Sequence, residues 1–157
     1  MREDVTPRIV GFTGTRGWPT DFQQKRLFEF LLHFYNEGSR EFHHGDCEGS
    51  DQVAHALALR AGYTRIHIHP PNDPKYRAFC HKLEAPPHTY VVSPPKQYLL
   101  RNKDIVLAAG VMLSTPGGKE MLRSGTWSTI RFARQQNKPT WIIYPEHVDV
   151  ERSPYVE

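Results

Sequence analysis

The residues best suited to hold an anion lie in Gly11-Phe12-Thr13-Gly14-Thr15-Arg16-Gly17, where three glycines within seven positions accompany two hydroxyls and one guanidinium. Glycine permits positive φ and leaves backbone N–H groups uncovered, so an anion can approach closely. Arg16 adds a planar fork able to meet two phosphate oxygens at once. An ordinary surface arginine is an equal reading of the same residue. A second glycine turn, Gly45-Asp46-Cys47-Glu48-Gly49-Ser50-Asp51, supplies Asp46 and Glu48, carboxylates able to orient a ribose or act as a base. Turn capping accounts for Asp46 nearly as well. Ser50 reads as a helix N-cap, and Asp51 as a first-turn residue favoured by the helix dipole. A third glycine run extends from Pro116-Gly117-Gly118 to Ser124-Gly125-Thr126. Gly125 and Thr126 stand at a predicted helix start, where N–H groups and a hydroxyl can face a phosphate.

The nine histidines raise the question of a metal. His43 and His44 are adjacent, so they face opposite sides of a strand, whereas His67 and His69 share one face without an obvious third ligand. Histidines that cover a sheet or face solvent are therefore expected, and no metal. The two cysteines, Cys47 and Cys80, form neither a CxxC pair nor a disulfide-rich pattern, which points to free thiols and against a structural zinc site.

These loops need a scaffold, and the apolar periodicity supplies one. Arg8 to Val10 opens a first strand, and a helix follows in which Thr20 and Gln23 form a capping box and Leu27, Phe30, Leu31 and Phe34 recur at helical spacing. A second strand is read at 41–44 and a helix at about 51–61, with Val53, Ala54, Leu57 and Ala61 inward and Gly62 as its stop. A third strand covers 65–69. Residues 72–87 read as a long connection with one helical turn near 76–83. A fourth strand at 89–92 precedes a helix from Pro95 to about Ala109, with Ser93 as cap. Strand 111–115, a helix holding Trp127, Ile130 and Ala133, and strand 140–144 complete the series. Trp127 is expected in the core. Alternating strands and helices predict an α/β, Rossmann-like, mostly parallel sheet covered on both faces, with ligands at the carboxyl ends of its strands.

At 157 residues the chain suits one domain, 1–157, with a core of about 8–145 and a loosely held extension at 146–157. It carries 38% hydrophobic and 24% charged residues, ordinary values for a globular protein, and no apolar run reaches the ~20 residues of a membrane helix. The N-terminus lacks the apolar core of a signal peptide, so a cytoplasmic address and no membrane partner are expected. Twenty basic residues are scattered among seventeen acidic ones, for a net charge of +3. That balance demands no nucleic-acid footprint and suits a small anionic ligand if a few cations converge on one cleft, and composition alone does not choose between the two.

Four stretches taken together resemble the superfamily joining DNA-processing protein A to the LONELY GUY phosphoribohydrolases, known as the SLOG fold, and closest to its small stand-alone members. They are Gly11-Phe12-Thr13-Gly14-Thr15-Arg16, Phe42 to Asp51, Arg101-Asn102, and Pro116-Gly117-Gly118 with Gly125-Thr126, spread over most of the chain. The resemblance implies a nucleotide-derived ligand, no separate cofactor, and a homodimer or higher oligomer. It implies phosphate contacts from Gly14, Thr15, Arg16, Gly45, Ser50, Arg101, Gly117, Gly118, Gly125 and Thr126. In the hydrolase branch a Gly-Thr-x-x-Glu motif and an upstream arginine cut the N-glycosidic bond of a nucleoside monophosphate. Arg101 matches the arginine, but Thr129 stands at the glutamate position and residues 119–124 are inserted within the motif. The candidate catalytic set is thus Arg101 with a carboxylate from Asp46, Glu48 or Glu120. Binding of a nucleotide, with or without N-glycosidic hydrolysis or transfer, is the expected function. Sensing or sequestration of a signalling nucleotide is the alternative, and single-stranded DNA binding comes third.

Overall fold

The computed structural model describes residues 8–146 and 150–153. Six strands run parallel, β1 (Val10–Gly14), β2 (Glu41–His44), β3 (Arg65–Ile68), β4 (Tyr90–Val92), β5 (Val111–Thr115) and β6 (Thr140–Ile142), and β7 (Glu151–Ser153) pairs antiparallel with β6. The sheet order is β4-β3-β2-β1-β5-β6-β7. Part of the stretch expected as a loose extension is therefore a sheet edge, while residues 147–149 and 154–157 of it lie outside the described residues.

Between the strands lie α1 (Asp21–Asn36), α2 (Ser50–Ala61), α3 (Tyr98–Ala108) and α4 (Gly125–Gln135). The capping box forms at α1: Gln23 N–H donates to Thr20 Oγ1 (3.1 Å), and Thr20 N–H donates to Gln23 Oε1 (3.0 Å). Helices α1 and α2 pack together over Val10, Phe12, Phe42, Ile66 and Ile68, which form one buried cluster with Leu27, Leu31, Ala54 and Ala58. On the other face, Ile105, Val106 and Ala109 of the α3 region meet Met112 and Ala133, and Trp127 packs with Ile130 and Ile142. Trp127 is core, as its helical spacing predicts. Gly11 makes this second layer possible: a Cβ there would lie 2.5 Å from Met112 Sδ and 2.9 Å from Ala109 Cβ.

Three local expectations are corrected. Ser50 is the first residue of α2, and Gly49 is the cap position, with no side-chain cap bond. Its backbone at φ 89° and ψ −119° suits only glycine. The cap of α3 is Gln97, whose Oε1 accepts from Leu99 and Leu100 N–H, and the helix starts only at Tyr98 because Lys96 is held in a bridge with Pro71, its N–H donating to Pro70 O (3.2 Å). The single turn expected at 76–83 is two short 3₁₀ turns, Pro74–Tyr76 and Cys80–Lys82, separated by Phe79 in the left-handed region.

The chain builds outward from β1 to β4, then returns through α3 to lay β5 on the opposite side of β1. The loops after β1 and β5 thus diverge to opposite faces and leave a crevice at the carboxyl ends of these strands.

Candidate functional site

That crevice is a cleft of about 670 Å³. Phe12 to Arg16 form its floor and one wall, and Gly45, Cys47 and Asp51 come from the second loop and α2. Asn72, Asp73, Lys75 and Tyr76 come from the long connection, Tyr98, Arg101 and Asn102 from α3 with its cap Gln97, and Gly125 and Thr126 from the start of α4 with its cap Ser124.

The first two loops interlock through close backbone contact. Ser50 N–H donates to Thr15 O (3.2 Å), and Ser50 Oγ donates to Gly17 O (3.2 Å). A Cβ on Gly49 would fall 1.9 Å from Arg16 O, and one on Gly14 would fall 2.5 Å from Ser50 Cβ. The glycines here allow chain to touch chain, and Thr15 N–H donates to Thr115 O (3.4 Å), which ties the first loop to the end of β5. At the far wall Ser124 caps α4 by accepting from Trp127 N–H (3.2 Å), which leaves the first-turn N–H groups of Gly125 and Thr126 at the cleft, where the helix dipole favours an anion. Tyr76 and Tyr98, both partly exposed, stand in the same cleft. The Arg16 guanidinium lies 4.3 Å from the Tyr76 ring centre.

Arg101 is buried and heavily used by the protein itself. Its Nη1 donates to Gly45 O and to His69 O (3.0 Å), and its Nε donates to Asn102 Oδ1 (2.7 Å). Among the described residues its Nη2 meets only the soft Cys47 sulfur, at 3.8 Å. The guanidinium thus ties the ends of β2 and β3 to α3 and keeps one nitrogen for the cleft. Asp51 is buried beside it and accepts from Cys47 N–H (3.1 Å). Burial raises the Asp51 carboxyl to about 6, against the partial opposition of Arg101 and these backbone donors. A carboxyl with that value exchanges a proton near neutral pH. Gly45 separates the pair, since a Cβ there would lie 2.7 Å from Arg101 Nη1 and 3.0 Å from Asp51 Oδ2.

Of the residues singled out in the sequence, Gly14, Thr15, Arg16, Gly45, Arg101, Gly125 and Thr126 come together in this cleft. Asp46, Glu48, Ser50, Gly117, Gly118 and Glu120 do not line it. Ser50 stitches the loops as described. Gly117 abuts Thr15 Cγ2, at 3.2 Å from a built Cβ, and Gly118 accepts from Trp127 Nε1 (3.3 Å). Asp46 is fully buried and engaged elsewhere, accepting from Arg77 Nε (2.7 Å) and Cys80 N–H (2.8 Å), so it anchors the 74–82 segment. Glu48 is exposed in a shallower groove with Trp18, Gln52 and Arg77. Glu120 is exposed and paired with Arg131 and Arg134 (both 3.2 Å) on the outer side of α4. Thr129 is buried, and its hydroxyl donates to Gly125 O (2.9 Å) within its own helix. Sequence reasoning passed over Asp51 as a catalyst and did not single out Tyr76, Lys75 or Tyr98. The helix-start pattern explained Asp51 without reference to a cleft, and only the fold returns the 74–76 turn to β1.

The histidines split across the sheet as alternation requires. His44 sits on the α2 side, where its Nε2 lies 2.8 Å from His55 Nδ1. On the other face, pairing of β2 with β3 sets His43 opposite His67 and beside His69, so the third imidazole that sequence spacing did not supply is present.

No family model matches the chain, and no curated protein matches it. Solved structures do. DNA processing protein A from Helicobacter pylori, described for its single-stranded DNA binding mode, superposes with a TM-score of 0.64 at 22% identity over 87% of this chain and 65% of that one. The chain therefore spans just under two thirds of that protein. The molybdenum cofactor binding protein of Rippkaea orientalis gives 0.64 at 18% identity, covering 90% of this chain and 78% of that one. TM1055 gives 0.60 at 18%, covering 85% and 72%. No helix among the described residues is long and apolar enough to cross a membrane. The parallel sheet reversing at β1 and β5 and these superpositions together show that the chain shares the Rossmann-like α/β fold of these proteins.

Proposed function

We propose that the chain binds a nucleotide or nucleotide-derived molecule in the β1–β5 cleft. The observation that carries this reading is the convergence, in one cleft, of the glycine loop after β1, the Gly125–Thr126 start of α4, Arg16 and Lys75, with Tyr76 and Tyr98 as ring faces. The amide groups and cations suit phosphate, and the tyrosines suit a base. The test is a thermal-shift series with mononucleotides, cyclic nucleotides, ADP-ribose and a short single-stranded oligonucleotide, joined to mass spectrometry of anything extracted from the purified protein. A ligand at 100 times its Kd stabilises by about 2.7 kcal/mol, or about 5–11 °C in Tm for a domain of this size. A flat Tm across the panel together with an empty extract refutes the proposal. A shift with the oligonucleotide alone replaces it with single-stranded DNA binding.

A second reading, cleavage of the N-glycosidic bond, is favoured by one observation: Asp51 is a buried cleft carboxyl titrating near neutrality. In this reading Asp51 takes the place of Asp46, Glu48 and Glu120, and accepts the proton of the water that attacks the sugar carbon as the base departs. Chromatography for free base after incubation with each mononucleotide decides it. Binding without free base leaves a sensing or sequestering protein.

A further inference from the structure

His43, His67 and His69 are used by no part of the cleft chemistry, yet they form a compact group. Strands β2 and β3 pair in parallel with His43 facing His67, and 67 and 69 share a face by strand alternation. The ring centres lie 4.5 Å (43 to 67), 5.0 Å (43 to 69) and 4.3 Å (67 to 69) apart. One nitrogen of each lies within 4.8 Å of the others. We propose that these three imidazoles form a binding site for one divalent transition-metal ion, supported from behind by Glu41.

Glu41 gives the group a direction. Its Oε2 lies 2.8 Å from His43 Nε2, while its Oε1 accepts from Arg65 Nε at 2.9 Å. The carboxylate holds the imidazole proton on Nε2 and leaves Nδ1 as the lone-pair nitrogen, and Nδ1 is the atom that faces His69 Nε2 at 2.8 Å. A carboxylate behind a ligating histidine raises its basicity and locks its ring. An ion held tetrahedrally at about 2.0–2.1 Å needs nitrogens roughly 3.3 Å apart, so the His43–His69 pair opens by about 0.5 Å. The His67 and His69 rings are stacked with planes 12° apart, and His67 Nε2 lies 2.6 Å from Ser93 Oγ, so binding requires these two rings to turn until their lone pairs meet at the ion. His43 and His69 are buried and His67 is half-buried, so the site keeps one side toward solvent for a further ligand. Three imidazoles without thiolate select the Zn²⁺, Co²⁺, Ni²⁺ and Cu²⁺ class over Mg²⁺ or Ca²⁺.

The other compact group, His44, His55 and Cys80, is already satisfied. Asp46 N–H donates to His44 Nδ1 (3.0 Å), His44 Nε2 meets His55 Nδ1 (2.8 Å), and His55 Nε2 meets Tyr90 OH (3.0 Å). This chain of bonds occupies every ring nitrogen, and the Cys80 thiol is pushed far up by burial, so no thiolate stands ready.

The experiment titrates the full chain, freed of metal with a chelator, with Co²⁺ and then Zn²⁺. Expected are one cobalt per chain, the visible bands of a four-coordinate ion without an intense near-ultraviolet thiolate band, and displacement by Zn²⁺. His67→Gln weakens binding about tenfold or more, and Glu41→Gln, which leaves all three imidazoles in place, weakens it about 10–100-fold. Cys80→Ser leaves it unchanged. Absence of cobalt bands at millimolar Co²⁺, or wild-type affinity in both the His67 and Glu41 variants, overturns the proposal. A thiolate band lost in Cys80→Ser also overturns it, by putting the ion in the other group.

Discussion

Asp51→Asn tests the electrostatics of the cleft without any knowledge of its ligand. Burial raises the Asp51 carboxyl from an ordinary 3.8 to about 6, so the folded state binds this proton more tightly than the unfolded state does. At 1.36 kcal/mol for each unit, ionising Asp51 inside the fold costs about 3 kcal/mol. The sign follows from proton counts. Between about pH 4 and pH 6 the native state holds more protons than the unfolded chain, so the Asp51 contribution to stability falls as pH rises through this window and is fully lost by about pH 7. His55 acts oppositely: burial lowers it to about 4, and its contribution grows as pH rises from about 4 toward 6.5. Subtracting the variant from the wild type removes His55 and every other shared group. It also separates pH-independent losses, such as the weakened hold on Cys47 N–H, from the titration itself. Urea unfolding of both proteins at pH 4 and pH 7.5 gives the required double difference. The variant should gain about 2.4 kcal/mol on the wild type between the two values, since a small part of the Asp51 contribution is already lost at pH 4. A double difference within about 0.5 kcal/mol of zero, or of opposite sign, refutes the assignment of a desolvated carboxyl in the cleft.

Two substitutions probe the scaffold around it. Gly49→Ala forces a side chain into φ 89° and sets a Cβ 1.9 Å from Arg16 O, so the two loops must part. A loss of about 2–6 kcal/mol, seen as a Tm lower by about 4–24 °C, is expected in a thermal melt, and an unchanged Tm contradicts the interlocking of the loops. Thr129→Glu, which rebuilds the hydrolase motif on paper, buries a carboxylate inside α4 and is expected to cost several kcal/mol in urea unfolding without creating free base from mononucleotides. Thr129→Val, which removes only a hydroxyl bonded within the helix, stays within about 1 kcal/mol of the wild type.

The order of strands and helices was legible in the chain because each depends on near neighbours. Helix α1 announces itself through Thr20, Gln23 and the Leu27-Leu31-Phe34 stripe, and β5 through an apolar run following Gly110, all local signals. The carboxyl-end location of the glycine loops follows from the same alternation, and with it the membership of Gly14, Arg16, Gly125 and Thr126 in one cleft. What depended on distant pairing was hidden. Asp46 and Glu120 carry the same carboxylate as Asp51, yet Asp46 turns to Arg77 and Glu120 to Arg131 and Arg134, and only burial beside Arg101 distinguishes Asp51. A proline-rich connection brings Tyr76 over the first loop, although no periodicity marks the 74–76 turn as part of a site. His67 and His69 share a face by strand alternation alone, but His43 joins them through the β2–β3 register, which neighbours along the chain do not encode. The sequence by itself thus determined the local elements and where ligands could approach. The tertiary structure decided which charged groups lose their water and which face one another, because desolvation and cross-strand contact exist only once the sheet has formed.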